Sequence, residues 1–263
     1  MSLEALIFDV DGTLADTEET HRQAFNYAFV RFELKWEWTK PMYRELLKIS
    51  GGKERIGRFI DTLPVPPADK ARLRQLVPAI HRTKTQLYTE LIADGRCPLR
   101  PGVTRLLAEA LDAGVRLALA STTTAANVDA LLTRHLGKRG LRQFHSIACS
   151  DLVQQKKPAP DIYRLVLSTL GLPADRCVAF EDSLNGLRAA KAAGLFTVVT
   201  ASQWTLGEDF GDADLELSHL GDREHLLPPA QAAAVGGPWL GLAQLGSLHA
   251  AAMRDSMSAG ARP

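Results

Sequence analysis

The chain of 263 residues is long enough for one large domain or for a domain that carries an insertion. Its composition, 46% hydrophobic and 23% charged, is that of a soluble protein, and a net charge of +1 excludes a global attraction to nucleic acid or to membrane surfaces. The scattered cysteines Cys97, Cys149 and Cys177 match no metal-binding spacing and predict free thiols in a reducing cytosol. With no leader-like segment and no run of 18 apolar residues, we expect a cytoplasmic protein without nucleic-acid or membrane partners.

The first predicted strand is the apolar run at 5–8, which ends at two acidic residues. Asp9 and Asp11 follow it within the string "DVDGT". Side chains two positions apart in an extended chain point to the same side, and Gly12 lets the backbone turn away directly after them. The spacing therefore indicates that both carboxylates can face one pocket, as a nucleophile and a general acid or base would.

Residues 15–94 have helical periodicity and no strand pattern, so we predict a helical insertion directly after the first strand. Glu18 and His21 are three residues apart and therefore share one face of the first helix of this insertion. That face either contacts solvent or looks onto the pocket, because the insertion begins within a few residues of Asp11.

The insertion also contains candidate anion-binding residues. The string "SGGKER" at 50–55 is a glycine loop followed by Lys53 and Arg55, whose amides and cations could hold an anion. It lacks the GxxxxGK[ST] pattern of a P-loop, and a solvated charged turn has the same composition. Lys84, in "HRTKTQLY", is a further candidate cation, with a surface position as the alternative.

From 95 to 226 short apolar runs alternate with helical patterns of 10–14 residues, which predicts βαβ units and a mainly parallel sheet flanked by helices. We predict strands at 115–122, 146–150, 177–183 and 195–200, and helices at 102–114, 124–137, 160–171 and 184–194. The predicted division is a core at 1–14 and 95–226, the helical insertion at 15–94, and an Ala/Gly-rich tail at 227–263. For the tail, a loosely ordered segment and one docked helix both fit the sequence.

Polar and charged residues follow four of the predicted strands. They are Asp9 and Asp11, Ser121 and Thr122, Ser150 and Asp151, and Glu181 and Asp182, with Lys157 close behind the third strand. A single acid after a strand is commonly a helix N-cap. The carboxyl ends of parallel strands share one edge of the sheet, however, and carboxylates gathered there need a positive partner. Mg²⁺, held by a few carboxylates and a substrate phosphate, would meet that need.

Four strings in this order resemble the motifs of the haloacid dehalogenase superfamily of aspartate-nucleophile phosphotransferases. They are "DVDGT", "LALAST", "KKPAPDIY" and "VAFEDS", and the similarity spans about 3–220. Within the superfamily the chain is most similar to the CbbY-type sugar-phosphate phosphatases of Rubisco operons, with β-phosphoglucomutase as a near relative. The resemblance implies a Rossmann-like core with an inserted helical cap formed by 15–94.

The resemblance also implies roles for the residues at the strand ends. Asp9 would be the nucleophile that becomes an aspartyl phosphate, and Asp11 would protonate the leaving oxygen and then activate water. Mg²⁺ would be held by the Asp9 side chain, the Asp11 backbone carbonyl and Asp182, with Glu181 beside it. Ser121, Thr122 and Lys157 would bind the transferring phosphoryl group.

The same resemblance implies that the first cap helix, with Glu18 and His21, reads the substrate, and Lys84 matches a cap lysine of relatives. Lys53 and Arg55 could hold a second anionic group. Cations on both cap and core suit a sugar phosphate or bisphosphate, and for CbbY-type enzymes the implied substrate is xylulose 1,5-bisphosphate, converted to xylulose 5-phosphate. A mutase of the β-phosphoglucomutase type would use the same core residues. A phospho-aspartate signalling module is a remote alternative, because receiver domains lack a cap and an acid two residues after the first aspartate. We expect a monomer.

Overall fold

The computed structural model describes residues 3–95 and 97–260, with side chains described up to 255, so 1–2 and 261–263 of the predicted core and tail lie outside it. Six parallel strands form one sheet in the order β3-β2-β1-β4-β5-β6. The strands are β1 (Ala5–Phe8), β2 (Arg116–Ala120), β3 (Phe144–Ala148), β4 (Cys177–Glu181), β5 (Phe196–Thr200) and β6 (Leu215–Leu217). The short β6, at the sheet edge, was not predicted.

Helices cover both faces of the sheet because its central strands are apolar on both sides. In β1, Leu6 and Phe8 enter one buried cluster, and Ala5 and Ile7 enter another. The first cluster includes side chains of α5 (Val103–Asp112) and α6 (Ala125–Leu136), and the second those of α7 (Asp161–Leu170) and α8 (Leu184–Ala192). This arrangement confirms the predicted Rossmann-like core.

The cap consists of α1–α4, which stand between β1 and α5 in the chain. Their bounds are Glu18–Arg31, Lys40–Leu47, Gly52–Thr62 and Pro67–Ala93. The cap has its own aromatic core, in which Trp38 contacts Phe25 and Phe29 with ring centroids 4.6 and 4.9 Å apart. The inserted helical cap of the predicted fold class is therefore confirmed.

The two chain segments that join the cap to the sheet run side by side. Ala15 pairs with Asp11 and with Leu99, so the segment that leaves β1 contacts the segment that returns to α5. The backbone amide of Arg100 also donates to the carbonyl of Leu14 at 2.8 Å. Both connections to the cap are thus tied together next to Asp11.

The tail forms two helices, α9 (Pro229–Val235) and α10 (Leu242–Gly260). Val235, Leu240 and Leu245 lie in the same buried cluster as Leu6 and Phe8. Of the two possibilities that the sequence left open, the docked form is the one observed, with a second helix added. Within 3–95 and 97–260, no helix is long and apolar enough to cross a membrane.

Candidate active site

A cavity of about 420 Å³ lies between the carboxyl ends of the strands and the cap. Its walls include most of the site residues predicted from the sequence: Asp9, Asp11, Glu18, His21, Lys53, Arg55, Lys84, Thr122, Lys157 and Asp182. Ser121 and Glu181 lie behind the wall, where both are buried. The structure thus brings ten of the twelve predicted residues to one cavity.

Lys157 is the cation at the centre of the core side of this cavity. Its Nζ donates to Asp9 Oδ1 at 2.7 Å, to Glu181 Oε1 at 2.6 Å and to the carbonyl of Ala120 at 2.8 Å. Burial would lower the pKa of Lys157, but the two carboxylates raise it above its usual value, so the lysine is charged. Tyr163, which the sequence did not indicate, donates to the same oxygen of Glu181.

Three buried acids share that single lysine. Asp9, Glu181 and Asp182 each offer a carboxylate oxygen, and these oxygens lie within 4.8 Å of one another. Burial raises the pKa of Asp9 to about 8, against the effect of Lys157, and burial together with Asp9 and Glu181 raises the pKa of Asp182 well above its usual value. The one positive charge of Lys157 therefore does not balance three ionised acids. Their oxygen atoms are ligands that fit a hard divalent cation such as Mg²⁺.

Gly12 lets the loop after Asp11 approach Asp182 closely. Its φ is +86°, and a Cβ at this position would lie 2.0 Å from Asp182 Oδ2. A larger residue would therefore have to push the loop away from the acidic cluster. The glycine in "DVDGT" thus serves the approach of two loops as well as the turn after Asp11.

Asp11 points to the cap, where polar groups hold its carboxylate. Thr17 Oγ1 donates to Asp11 Oδ1 at 2.6 Å, and His21 Nε2 lies 2.9 Å from the same oxygen. Burial would raise the pKa of Asp11, but His21 and Thr17 hold it below its usual range. His21 in turn lies 2.5 Å from Lys84 Nζ and stacks on Tyr88 at 4.1 Å. The predicted helix face that carries His21 therefore looks onto the pocket.

Lys84 and Arg55 are buried cations of the cap with different surroundings. Burial lowers the pKa of Lys84 to about 7, opposed by Asp11 and Glu18. Arg55 donates to the carbonyl of Leu46 at 3.1 Å and to the Tyr43 hydroxyl at 2.9 Å. Tyr43 then donates to Glu18 Oε2 at 2.8 Å, so Arg55 fixes Glu18 through Tyr43.

Lys53 lies at the exposed rim of the cavity and makes no ion pair with any described residue. Beside it, Glu54 of the cap and Lys156 of the core are paired at 2.7 Å. Asn185 of the core donates to the cap carbonyl of Lys48 at 3.0 Å. These contacts close the cap over the core.

The Ser121–Thr122 pair stands at the end of β2. The buried Ser121 Oγ accepts a hydrogen bond from the Thr123 amide at 3.2 Å, and Thr122 lines the cavity. Sequence reasoning missed Asn127, whose amide donates to Thr123 Oγ1 at 2.9 Å. Its buried Oδ1 accepts no hydrogen bond from the described residues, and the residue lines the cavity.

The sequence analysis did not select Thr17, which is buried and bonds Asp11, or His81, which lines the cavity. The position of Thr17, one turn before His21, was a usable signal, because residues four apart on a helix share a face. His81 shares a face of α4 with Lys84, and burial together with the cations Lys84, Lys53 and Lys156 lowers the pKa of His81 to about 3. Its imidazole is therefore neutral near pH 7 and contributes no charge to the rim.

Comparison with known proteins places this geometry in a family. Residues 3–194 match the profile of a family described as haloacid dehalogenase-like hydrolases. The CbbY protein of Rhodobacter capsulatus is 51% identical over 220 residues, which is 84% of this chain and 95% of the relative. The plasmid-borne CbbY of Cupriavidus necator is 47% identical over 247 residues, with coverages of 94% and 97%.

Solved structures agree with this assignment. CbbY from Rhodobacter sphaeroides in complex with phosphate has a TM-score of 0.76 and 48% identity, covering 82% of this chain and 94% of that one. A point mutant of CbbY from that organism in complex with xylulose-(1,5)bisphosphate has a TM-score of 0.78 and 45% identity, covering 92% and 99%. A β-phosphoglucomutase from Clostridium difficile, at 23% identity and a TM-score of 0.62, shares the fold. The chain belongs to the haloacid dehalogenase-like hydrolases, with CbbY proteins among its relatives, and it is a phosphoric monoester hydrolase.

Proposed function

We propose that this protein is a Mg²⁺-dependent sugar-phosphate phosphatase that hydrolyses xylulose 1,5-bisphosphate to xylulose 5-phosphate and inorganic phosphate through an aspartyl phosphate. The observation that carries the chemistry is the division of the two acids. Asp9 is bound to Lys157 on the core side, while Asp11 is bound to His21 and Thr17 on the cap side. The substrate is supported by the similar CbbY structure that contains xylulose-(1,5)bisphosphate.

In the first step, a carboxylate oxygen of Asp9 attacks the phosphorus atom and the ester P–O bond breaks. The leaving sugar oxygen takes a proton from the Asp11 carboxyl group. The substrate phosphate is a like charge beside Asp11, so its arrival raises the pKa of this acid and favours the protonated form. Lys157, fixed by Asp9 and Glu181, places its positive charge next to the transferring group.

In the second step, Asp11 takes a proton from water, whose oxygen attacks the phosphorus atom. The bond from phosphorus to Asp9 breaks, which regenerates the Asp9 carboxylate and releases phosphate. The hydrogen bonds from Thr17 and His21 favour ionised Asp11, as this base requires, and lower its pKa. The arrangement of Asp11 therefore supports the proposal that it acts as the base in the hydrolytic step.

The residues that would hold Mg²⁺ are Asp9, Asp182 and the backbone carbonyl of Asp11, with Glu181 behind them. When bound, the ion offsets the negative charge of the phosphoryl oxygens. The raised pKa values of Asp9 and Asp182 support this assignment, because both acids need a cation beside them to stay ionised near neutral pH.

The second phosphate of a bisphosphate would bind at the rim of the cap. Lys53 is exposed there and lines the cavity, whereas the donors of Arg55 are bonded to Leu46 and Tyr43. Binding energy at this remote site would orient the reacting phosphate towards Asp9. The contribution of Arg55 would then be indirect, through Tyr43 and Glu18.

Phosphate release with Mg²⁺ across a panel of sugar phosphates tests the proposal. The panel contains xylulose 1,5-bisphosphate, ribulose 1,5-bisphosphate, several sugar monophosphates and β-glucose 1-phosphate, and Asp9→Asn is the inactive control. We expect the highest kcat/KM for the xylulose compound. Isomerisation of β-glucose 1-phosphate without phosphate release would instead identify a mutase, and equal kcat/KM across the panel would remove the substrate assignment.

A further inference from the structure

Arg100 is a buried cation in the segment that returns from the cap to the core. Its side chain is 8% exposed, and the nearest described carboxylate oxygen, of Asp16, lies 3.7 Å from its Nε. A buried guanidinium needs a hydrogen-bond partner for each donor that it turns away from water. The carboxylate at this distance satisfies little of that need, so other acceptors must hold the charge.

Backbone carbonyls hold the Arg100 guanidinium. Its Nη1 donates to the carbonyl of Gly12 and, at 2.6 Å, to that of Thr200, and it lies 3.1 Å from Thr200 Oγ1. Its Nη2 donates to the carbonyls of Ala201 at 2.9 Å and Ser218 at 2.8 Å. One planar group therefore joins the loops that follow β1, β5 and β6.

Two of these loops adjoin the acidic cluster. Gly12 directly follows Asp11, and its Cα lies against the carboxylate of Asp182. Thr200 and Ala201 lead into the loop that carries Thr205, whose Oγ1 lies 3.5 Å from Asp182 Oδ2. A shift of the guanidinium would therefore move the chain on both sides of Asp182.

We propose that Arg100 is a positioning residue that fixes the Asp11–Gly12 peptide against Asp182 and so sets the affinity of the acidic cluster for a divalent cation. The inference rests on the Mg²⁺ site of the proposed function. Arg100 touches neither the cavity wall nor the reacting groups described above, so it acts through the backbone of its neighbours. It also lies where both connections to the cap meet, since its amide donates to Leu14.

The variant Arg100→Lys distinguishes the effect of the positive charge at this position from the effect of the guanidinium hydrogen bonds. Lysine keeps the positive charge but has three N–H donors on one nitrogen, which are too few for the four carbonyls that the two Nη atoms of Arg100 bond. Loss of such supporting contacts weakens metal binding about 10- to 100-fold. We expect a loss of that size in Mg²⁺ affinity, measured by calorimetric titration without substrate, while KM at saturating Mg²⁺ changes less than about threefold.

Arg105 is the matched control, because it also bridges backbone carbonyls but lies away from the cluster. It donates to Gly221 and Leu240, both at 2.9 Å, and to Leu220, and it pairs with Glu109. Arg105→Lys should lower the Tm through the loss of these contacts and leave the Mg²⁺ affinity within about twofold of wild type. The pair of variants distinguishes positioning of the metal site from general stabilisation.

Four results would overturn the inference. The first is wild-type Mg²⁺ affinity in folded Arg100→Lys, and the second is an equal loss of affinity in Arg105→Lys. If Arg100→Lys does not fold, Thr200→Val decides, because it removes one acceptor of Arg100 and keeps the backbone. We expect Thr200→Val to lower the Mg²⁺ affinity two- to fivefold, and an unchanged affinity is the third contrary result. The fourth is absence of Mg²⁺ binding by the wild-type protein, which would also refute the metal site of the proposed function.

Discussion

The lysines on the core side of the cavity and at the rim of the cap differ in burial and in hydrogen bonding. On the core side, Lys157 is buried among Asp9 and Glu181 and bonded to both. The cap has buried cations as well, Lys84 and Arg55, but at its rim Lys53 is exposed. Beside Lys53, Lys156 of the core is paired with Glu54 of the cap across the cleft. A buried, fully bonded charge is fixed before substrate arrives, whereas an exposed cation is free to adapt to different anions. We therefore propose that the core carries the reaction and that the cap selects the substrate.

The strongest test on the core side is removal of the nucleophile. In Asp9→Asn the side chain keeps its size but loses the nucleophilic oxygen, so we expect kcat to fall by about 10⁴-fold or more on every substrate. Phosphate release from xylulose 1,5-bisphosphate and from p-nitrophenyl phosphate measures it.

Asp16→Asn is the control for that variant, because Asp16 is an exposed acid of the same loop. It should keep kcat within a few-fold of wild type. Retention of substantial turnover by Asp9→Asn would reassign the nucleophile.

The core acids also predict how Mg²⁺ binding depends on pH. Asp9 has a folded pKa of about 8, raised from 3.8, so without metal its protonation contributes stability below its unfolded pKa, and this is lost as pH rises through 8. A metal ion replaces that proton, and binding releases it. The rise in Tm caused by Mg²⁺ should therefore grow from pH 5.5 to pH 8.

Thermal unfolding with and without Mg²⁺, at fixed ionic strength, measures this growth. Histidine titrations affect both curves at a given pH and cancel in the difference. Asp182→Asn should remove most of the Mg²⁺-dependent shift. A shift that is constant from pH 5.5 to pH 8 would contradict proton release from the buried acids.

On the cap side, the informative variant is Lys53→Ala. Loss of one charged contact to a remote phosphate should lower kcat/KM for xylulose 1,5-bisphosphate by about 10- to 100-fold. For p-nitrophenyl phosphate, which has no second phosphate, we expect a change below about threefold. Initial rates on the two substrates measure the ratio.

Arg58→Ala is the matched control for Lys53→Ala, because Arg58 is an exposed cation of the same helix that does not line the cavity. It should leave kcat/KM unchanged for both substrates. If Lys53→Ala lowers kcat/KM equally for both substrates, the residue does not anchor the second phosphate. The proposed division between core and cap would then fail at this position.

The same contrast explains what could be predicted from the sequence. The ends of β1 and β4 are fixed by apolar runs that stop at acids, so the order of the strands alone brings Asp9 and Asp182 together. On the cap, helix rotation and burial decide which side chain reaches the cavity. Arg55, a predicted anion-binding residue in "SGGKER", lines the cavity, and its guanidinium is also bonded to Leu46 and Tyr43. No local sequence pattern indicates that Arg55 has these partners.

Long-range partners were the other part that local patterns could not indicate. Tyr163, in α7, donates to Glu181 at the end of β4, 18 positions along the chain. The short β6 also had no signal, since its three residues, 215–217, are too few for a period to be measured. The sequence of the tail was compatible with one docked helix but did not indicate which residues that helix would contact.

The tail offers a test that separates stability from catalysis, because no described residue from 227 onwards lines the cavity. We expect its loss to leave the reaction intact. Because Leu245 is fully buried in the cluster that also contains Leu6 and Phe8, Leu245→Ala should destabilise the fold by about 2–5 kcal/mol. No described residue of α10 lines the cavity, so kcat on the folded fraction should stay within about twofold of wild type. Denaturant unfolding and initial rates measure the two effects, with the exposed Leu206→Ala as the control. A fall in kcat larger than unfolding explains would show that the tail supports the acidic cluster through the sheet.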